Sequence, residues 1–218
     1  IDTSNYTTSC AISDSNGNVL HNFKLLLPVK EGERGLRQSE AVFAHIKNIQ
    51  IISDLIKEKV KGCEIEAIGY SAFPRDTEGS YMPCFLVGEA IAEGIATTHN
   101  CEVFKTSHQV GHILSALYSC EKLDLLKADK PFLAFHVSGG TTDLLLCTPD
   151  KEQVLITEEI AHSLDLKAGQ LIDRVGLMLG LQFPCGVELE KLAEKSTKCF
   201  KIKPTMKGMN CCLSGVEN

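Results

Sequence analysis

The chain has 218 residues, of which 44% are apolar and 23% charged, enough apolar content for one large domain or two small ones with their own cores. A formal net charge of -6, from 22 Lys and Arg against 28 Asp and Glu, excludes a protein whose whole surface is a basic sleeve for nucleic acid, though not a local basic patch. The 10 cysteines include no Cys-x-x-Cys pair, which excludes a zinc ribbon and fits reduced thiols in a cytoplasmic protein, and no apolar run approaches the roughly 20 residues that span a bilayer.

In chain order, residues 9–27 alternate or run apolar around Asp14-Ser15-Asn16-Gly17-Asn18, a strong turn signal, and predict a β-hairpin. From Ser39 to Lys59, Val42, Ile46, Ile49, Ile52, Leu55 and Ile56 recur at helical spacing, and a short buried strand is expected over Ile65–Tyr70. Phe85–Thr98 reads as a helix rich in small residues, Val103-Phe104 as a strand and Gln109–Tyr118 as a helix. The charged stretch Lys122–Lys130, ending at Pro131, is the expected domain boundary, dividing 1–128 from 131–218. Beyond it, strands are predicted over Phe132–Val137 and Leu144–Cys147, joined by Ser138-Gly139-Gly140-Thr141, with a third over Gln153–Ile156. Helices fit Asp165–Leu179 and Val187–Lys195, separated by Phe183-Pro184-Cys185-Gly186. Both halves open on strand, Ser/Thr/Gly turn, strand, which suggests a duplicated α/β fold with a ligand between the halves. Both ends read as cut: the chain opens directly on a motif, and further chemistry is expected beyond Asn218.

Two segments carry chemistry. In Ser107-His108-Gln109-Val110-Gly111-His112 the imidazoles stand at i and i+4 of a helix, a spacing that lets both reach one ion; the alternative is a helix start with one histidine capping and the other packed. Gln109 is no general base, so this is not the His-Glu-x-x-His of a zinc peptidase. In Val137-Ser138-Gly139-Gly140-Thr141-Thr142 the glycines free backbone amides to approach an anionic oxygen, and the hydroxyls add donors; the alternative is an ordinary tight hairpin. The opening Asp2-Thr3-Ser4-Asn5-Tyr6-Thr7-Thr8 holds a similar polar turn, making Asp2, Ser4, Asn5 and Thr7 a possible first phosphate loop.

These segments, in this order, resemble the TsaD/Gcp family, once called O-sialoglycoprotein endopeptidases or glycoproteases. Ser107–His112 is similar to the family's N-H-x-x-G-H with serine for asparagine, and Val137–Thr142 to its V-S-G-G-x-T loop. Ala168-Gly169-Gln170-Leu171-Ile172-Asp173-Arg174-Val175, continuing to Phe183-Pro184-Cys185-Gly186, resembles its A-G-E-A-F-D-K-V…Y-P-G-G-P stretch, and Glu190-Lys191-Leu192-Ala193 and Leu213-Ser214-Gly215 are similar too. The resemblance implies an actin-like, Hsp70-like two-lobed ATPase fold, residues 1–128 forming the first lobe and 131–218 part of the second. It implies an acyltransferase that moves a threonylcarbamoyl group from threonylcarbamoyl-AMP to N6 of the adenosine beside the anticodon of tRNAs reading ANN codons.

Carried over residue by residue, the resemblance implies that His108 and His112 bind Fe(II) or Zn(II). It implies that His136, Val137, Ser138, Gly139, Gly140 and Thr141 touch ATP or the acyl-adenylate, and that Asp173 and Gly186 contact its nucleoside. Some family members have a tyrosine that reaches the metal just before V-S-G-G; here His136 stands there, a better ligand at neutral pH, the alternative being a strand-end histidine that faces solvent or fills the cleft. Implied partners are tRNA and a paralogous actin-like subunit within a tRNA-modifying complex, or a homodimer; no membrane is involved. Arg34, Arg37, Arg75, Lys201, Lys203 and Lys207 could meet tRNA phosphates or simply be solvated.

The sequence also departs from the family pattern. The family's E-T-S-C-D-D-T becomes Asp2–Thr8 without the two acidic residues after the cysteine position, its G-P-G-L segment is replaced around Ser71–Asp76, Phe43 replaces an arginine in the helix that keeps His45, and Cys185 replaces the first glycine of P-G-G-P. Two other functions are therefore weighed: a small-molecule kinase of the same fold, for which only Asp2 offers an acidic group near the first loop, and a nucleotide-binding scaffold for an active partner.

Overall fold

The structure is a computed structural model that describes residues 1–4, 6–28, 36–203 and 205–216, and it is of mixed α/β type. The chain divides into two compact units, Ile1–Ala116 and Leu117–Asn218.

The first unit begins with the predicted hairpin, β1 (Thr7–Ser13) antiparallel to β2 (Val19–Leu26). Its turn is built by Asp14, whose Oδ1 accepts from the amides of Asn16 and Asn18, and by Gly17, whose φ of 83° few other residues tolerate. Helix α1 (Gln38–Lys57) follows, then β3 (Ala67–Phe73), α2 (Phe85–His99) and β4 (Glu102–Ser107). Strands β3 and β4 pair in parallel with α2 as their crossover, because parallel neighbours need a long connection. Helix α3 (His108–Ser119) starts directly at the end of β4.

The sequence places α1 correctly but not all of its buried face. Ala41, His45 and Ile52 are its buried residues, whereas Ile46 and Leu55 stay exposed. The stripe that meets β1 is narrower than the apolar set in the sequence, and a histidine occupies its middle: His45 Nδ1 lies 2.8 Å from Thr8 Oγ1, which also accepts from Asn48 Nδ2. Ala41 continues into a cluster with Cys84 and Phe85.

The second unit holds a meander of β5 (Phe132–Val137), β6 (Thr142–Asp150) and β7 (Val154–His162) in the order β5-β6-β7, all antiparallel. Strand β7 runs six residues past the predicted segment through Thr157, Glu158 and Glu159, because its pairing with β6 continues to Asp143–His162. Helix α4 (Ala168–Met178) begins three residues later than expected. Asp165 is held outside it: its carboxylate accepts from the amides of Leu166, Leu213 and Ser214 and from the Ser214 hydroxyl. Helix α5 (Gly186–Glu194) and the small hairpin of β8 (Thr205–Lys207) and β9 (Asn210–Cys212), which the sequence does not announce, complete the unit.

All 10 cysteines are free thiols, and burial pushes Cys147 up to about 11. Among the described residues no helix is long and apolar enough to cross a membrane.

Candidate functional site

In the first unit the histidine pair sits where β4 becomes α3, at the carboxyl ends of the parallel strands, the usual ligand side of such a sheet. Ser107 makes this junction. Fully buried, its Oγ accepts from the amide of Val110, so it is the N-cap of α3. Asparagine and serine cap equally well, so the departure from the family's N-H-x-x-G-H is conservative. With the helix started there, His108 and His112 stand one turn apart, their rings 4.3 Å apart between centroids and their Nε2 atoms 2.8 Å apart. His108 is partly buried with its ring edge against Phe85, and His112 is exposed.

Asp2 lies behind His108. Its Oδ2 is 2.8 Å from His108 Nδ1 and accepts from Ser71 Oγ at 2.6 Å, while Oδ1 accepts from the amide of Ser4 at 2.8 Å. The backbone of Asp2 is fixed as well, exchanging two hydrogen bonds with Ser9, and neighbouring Ile1 accepts from the amide of Ser71 on β3. Burial alone would raise the Asp2 carboxyl, but the hydrogen bond from His108, the charge of that ring when it is protonated, and the donors of Ser4 and Ser71 hold it well below the usual carboxylate range. An ionised carboxylate can only accept, so Nδ1 of His108 carries the proton. In neutral His108 that leaves Nε2 with its lone pair, accepting from Nε2–H of His112.

The donor set suits a metal. Neutral imidazole is a common ligand of Zn and Fe, and two nitrogens 2.8 Å apart can both lie at the usual metal–nitrogen distance of about 2.0–2.1 Å from one ion. Among the described residues, no group of three or more His, Cys, Asp or Glu side chains is gathered in a form that could hold a metal, so this corner offers two ligands with a carboxylate behind them. Of the opening residues, Asp2 and Ser4 join in one local turn, Thr7 begins β1, and Asn5 lies outside the described residues.

In the second unit His136, half-buried, is the penultimate residue of β5, opposite Asp143 in the ladder. Val137 ends the strand, and Ser138, Gly139, Gly140 and Thr141 form the turn into β6, closed by a bond from the Ser138 amide to Thr141 O. The amides of Gly140 and Thr141 converge on Ser138 Oγ, each at 3.1 Å, so the turn focuses two N–H groups on one oxygen. Neither Gly139 nor Gly140 has a left-handed backbone, and a Cβ on either would meet nothing within 4 Å.

The loop is locked onto the start of α4. Its first two amides, from Ala168 and Gly169, donate to Thr142 Oγ1 and Ser138 O. The approach is so close that a Cβ on Gly169 would lie 2.7 Å from Cα and N of Gly139. One turn along the same face, Asp173 Oδ1 accepts from the amide of Cys185, beside Gly186 at the start of α5, so Asp173 and Gly186 share one corner. A further turn on, Gly176 receives the buried Cys185, so closely that a Cβ on Gly176 would collide with Cβ and Sγ of Cys185. The cysteine that replaces a family glycine is thus seated over another glycine.

The sequence does not announce Ser107 as cap, Ser71 as partner of Asp2, or Gly169 as partner of the loop, and the Thr142 hydroxyl, expected as a donor, accepts from the Ala168 amide. Only the cap had a local signal, a serine directly before a helical run. Arg37, Lys201, Lys203 and Lys207 are exposed, Arg75 is half-buried, and Arg34 lies outside the described residues.

The sequence matches, over residues 28–218, the family described as "TsaD: tRNA N6-adenosine threonylcarbamoyltransferase". A protein of that name from Christiangramia forsetii is 30% identical over 206 residues, covering 93% of this chain and 57% of the relative. One from Nanoarchaeum equitans is 30% identical over 213 residues, covering 97% and 61%. A probable bifunctional tRNA threonylcarbamoyladenosine biosynthesis protein from Thermoplasma volcanium is 26% identical, covering 97% of this chain and 37% of that protein. The chain therefore spans about three fifths, or less, of the length of these curated relatives. Among solved structures, YeaZ from Pseudomonas aeruginosa aligns with a TM-score of 0.40 at 14% identity, covering 72% of this chain and 63% of that one. With a match that takes in most of its length, the chain belongs to the TsaD family of tRNA N6-adenosine threonylcarbamoyltransferases.

Proposed function

We propose that this chain carries the metal-binding and nucleotide-binding parts of an enzyme that transfers a threonylcarbamoyl group from threonylcarbamoyl-AMP to N6 of the adenosine beside the anticodon in tRNAs reading ANN codons. In this reading it folds as an actin-like ATPase, with 1–128 in the first lobe and 131–218 in part of the second. It works on tRNA beside a paralogous actin-like subunit, or as a homodimer.

One observation carries the reading: His108 and His112 turn their Nε2 atoms to one point at the mouth of a parallel βαβ unit, in a chain whose family is named for the transfer. His108 and His112 hold Fe(II) or Zn(II), which when bound supplies Lewis-acid polarisation of a carbamoyl or phosphoryl oxygen. In the second unit, phosphate oxygen takes the place of the Ser138 hydroxyl at the focus of the Gly140 and Thr141 amides, with the positive end of α4 beside it. His136 and Val137 flank the phosphate there, the bare faces of Gly139 and Gly140 admit it, and Asp173 Oδ2 accepts from a ribose hydroxyl near Gly186. The kinase reading is less favoured, because Asp2, the acidic residue at the first loop, is engaged by His108, Ser71 and Ser4.

The test is to incubate the metal-loaded protein, together with its paralogous subunit, with threonylcarbamoyl-AMP and unmodified tRNA reading an ANN codon, and then analyse the tRNA nucleosides. The expected result is N6-threonylcarbamoyladenosine, lost in His108→Ala/His112→Ala. No modified nucleoside from the wild type, with metal and nucleotide shown to be bound, would overturn the transferase and leave the scaffold.

A further inference from the structure

We propose that Asp2 is a positioning residue for the metal site: through His108 Nδ1 it fixes the ring in the tautomer and orientation that present Nε2 to the ion. The inference deepens the metal reading above and rests on it.

The geometry is that of a carboxylate–histidine pair behind a metal ligand, in which the outer carboxylate settles which nitrogen is protonated and raises the basicity of the other. Asp2 and His108 are 106 residues apart in sequence and meet at 2.8 Å. Both side chains are only about a quarter exposed, at 25% and 23%, so the bond is partly shielded from competing water.

Asp2 itself is over-determined. Its backbone is bonded twice to Ser9, its Oδ1 is held by the Ser4 amide, and its Oδ2 by the Ser71 hydroxyl as well as by His108. A carboxylate held from three directions transmits that fixity to the ring it grips. His112, one turn further and exposed, brings its Nε2 to 2.8 Å from Nε2 of His108, so the ring that Asp2 grips is the one whose free edge meets the second ligand.

The role predicts a measurement that does not depend on turnover. Zn(II) affinity is determined by competition with a chromophoric chelator for the wild type, Asp2→Asn and Asn48→Ala, with Co(II) spectra recorded for each. Asn48 bonds Thr8 and Leu25, away from the pair, and its variant serves as a control for general loosening. Asp2→Asn is expected to bind Zn(II) about 10- to 100-fold more weakly, with a shifted Co(II) spectrum, whereas Asn48→Ala keeps wild-type affinity despite lower stability. Nitrogen-15 NMR of the wild-type histidine rings reports the tautomer without any variant, and His108 is expected to be protonated at Nδ1 with and without Zn(II).

Equal affinity in Asp2→Asn, equal loss in Asn48→Ala, or a His108 protonated at Nε2 would overturn the role of Asp2. If the wild type binds no Zn(II) that depends on His108 and His112, the metal reading itself fails, an outcome distinct from tight wild-type binding that ignores Asp2.

Discussion

The histidine pair and the glycine loop are built by opposite means. In the first unit, side chains from distant segments meet: Asp2, Ser71 and Ser107 each spend a hydrogen bond on placing His108 or the helix that carries it. In the second unit, backbone meets backbone: Gly169 lies against Gly139, and the first amides of α4 are given to the loop. The first arrangement is sensitive to the chemistry of its side chains, because each is held by its polar atoms. The second depends on the absence of side chains and is nearly indifferent to charge.

The sharpest way to break this contrast is Gly169→Ala. The new methyl would lie 2.7 Å from Cα and N of Gly139, and neither backbone can give way without opening the hairpin. Alanine would normally gain up to about 1 kcal/mol over glycine inside a helix, but overpacking of this kind costs about 1–3 kcal/mol. Chemical denaturation is expected to show net destabilisation; a more stable Gly169→Ala would mean that loop and helix are not in contact.

On the histidine side, the corresponding change is chemical. Ser107→Ala removes the N-cap of α3 and is expected to cost about 0.5–2 kcal/mol, while Ser107→Asn keeps a capping oxygen and is expected to lose less, its remaining loss reflecting the larger side chain at a fully buried position. Denaturation midpoints of the two variants decide this. Equal losses would show that the hydroxyl acts through its packing and not as a cap.

Asp165 tests whether the second unit also has a side-chain-built part. The Ser214 hydroxyl first, then the Leu213 amide, hold its carboxyl well below the usual range. A lowered folded value means that the group stabilises above the ordinary carboxylate value of about 3.9, and that this contribution is lost as pH falls below it. Amide-exchange protection at Leu213 and Ser214 is therefore expected to fall on acidification in the wild type. In Asp165→Asn it should be lower throughout and no longer follow that titration.

These contrasts also mark what the sequence can reveal. The hairpin around Asp14 and Gly17, the succession of strand, helix and strand that becomes β3, α2 and β4, and the helical spacing of His108 and His112 are local patterns, set by turn chemistry and periodicity, and they are legible, though the parallel pairing of β3 with β4 is not. What escaped were contacts between segments far apart. No pattern near Asp2 points to His108, and none near Gly169 to Gly139. The buried face of α1 differs for the same reason: periodicity counts apolar residues, whereas tertiary contacts, with Thr8 for His45 and with Cys84 and Phe85 for Ala41, decide what is buried and leave Ile46 outside. Strand β7 runs past Ile156 through Thr157, Glu158 and Glu159 because its partner is β6, and that pairing is not written in the local sequence.

The smallest effect on stability belongs to Gly139→Ala, and it separates architecture from function most cleanly. Gly139 faces Gly169 through its backbone, but its own side-chain direction is empty, with nothing within 4 Å, and its φ is not left-handed. Folding therefore asks nothing of this glycine, and the variant is expected to change stability by no more than about 0.5 kcal/mol. If a phosphate oxygen is to reach the amides of Gly140 and Thr141, a methyl group on the open face of the loop stands in its path. ATP or AMP affinity, measured by calorimetry, is then expected to fall at least tenfold, about 1.4 kcal/mol. Unchanged affinity would place the nucleotide elsewhere and make the loop an ordinary hairpin. A loss of stability as large as that of Gly169→Ala would mean that the glycine serves packing after all, and the difference between the two units would disappear.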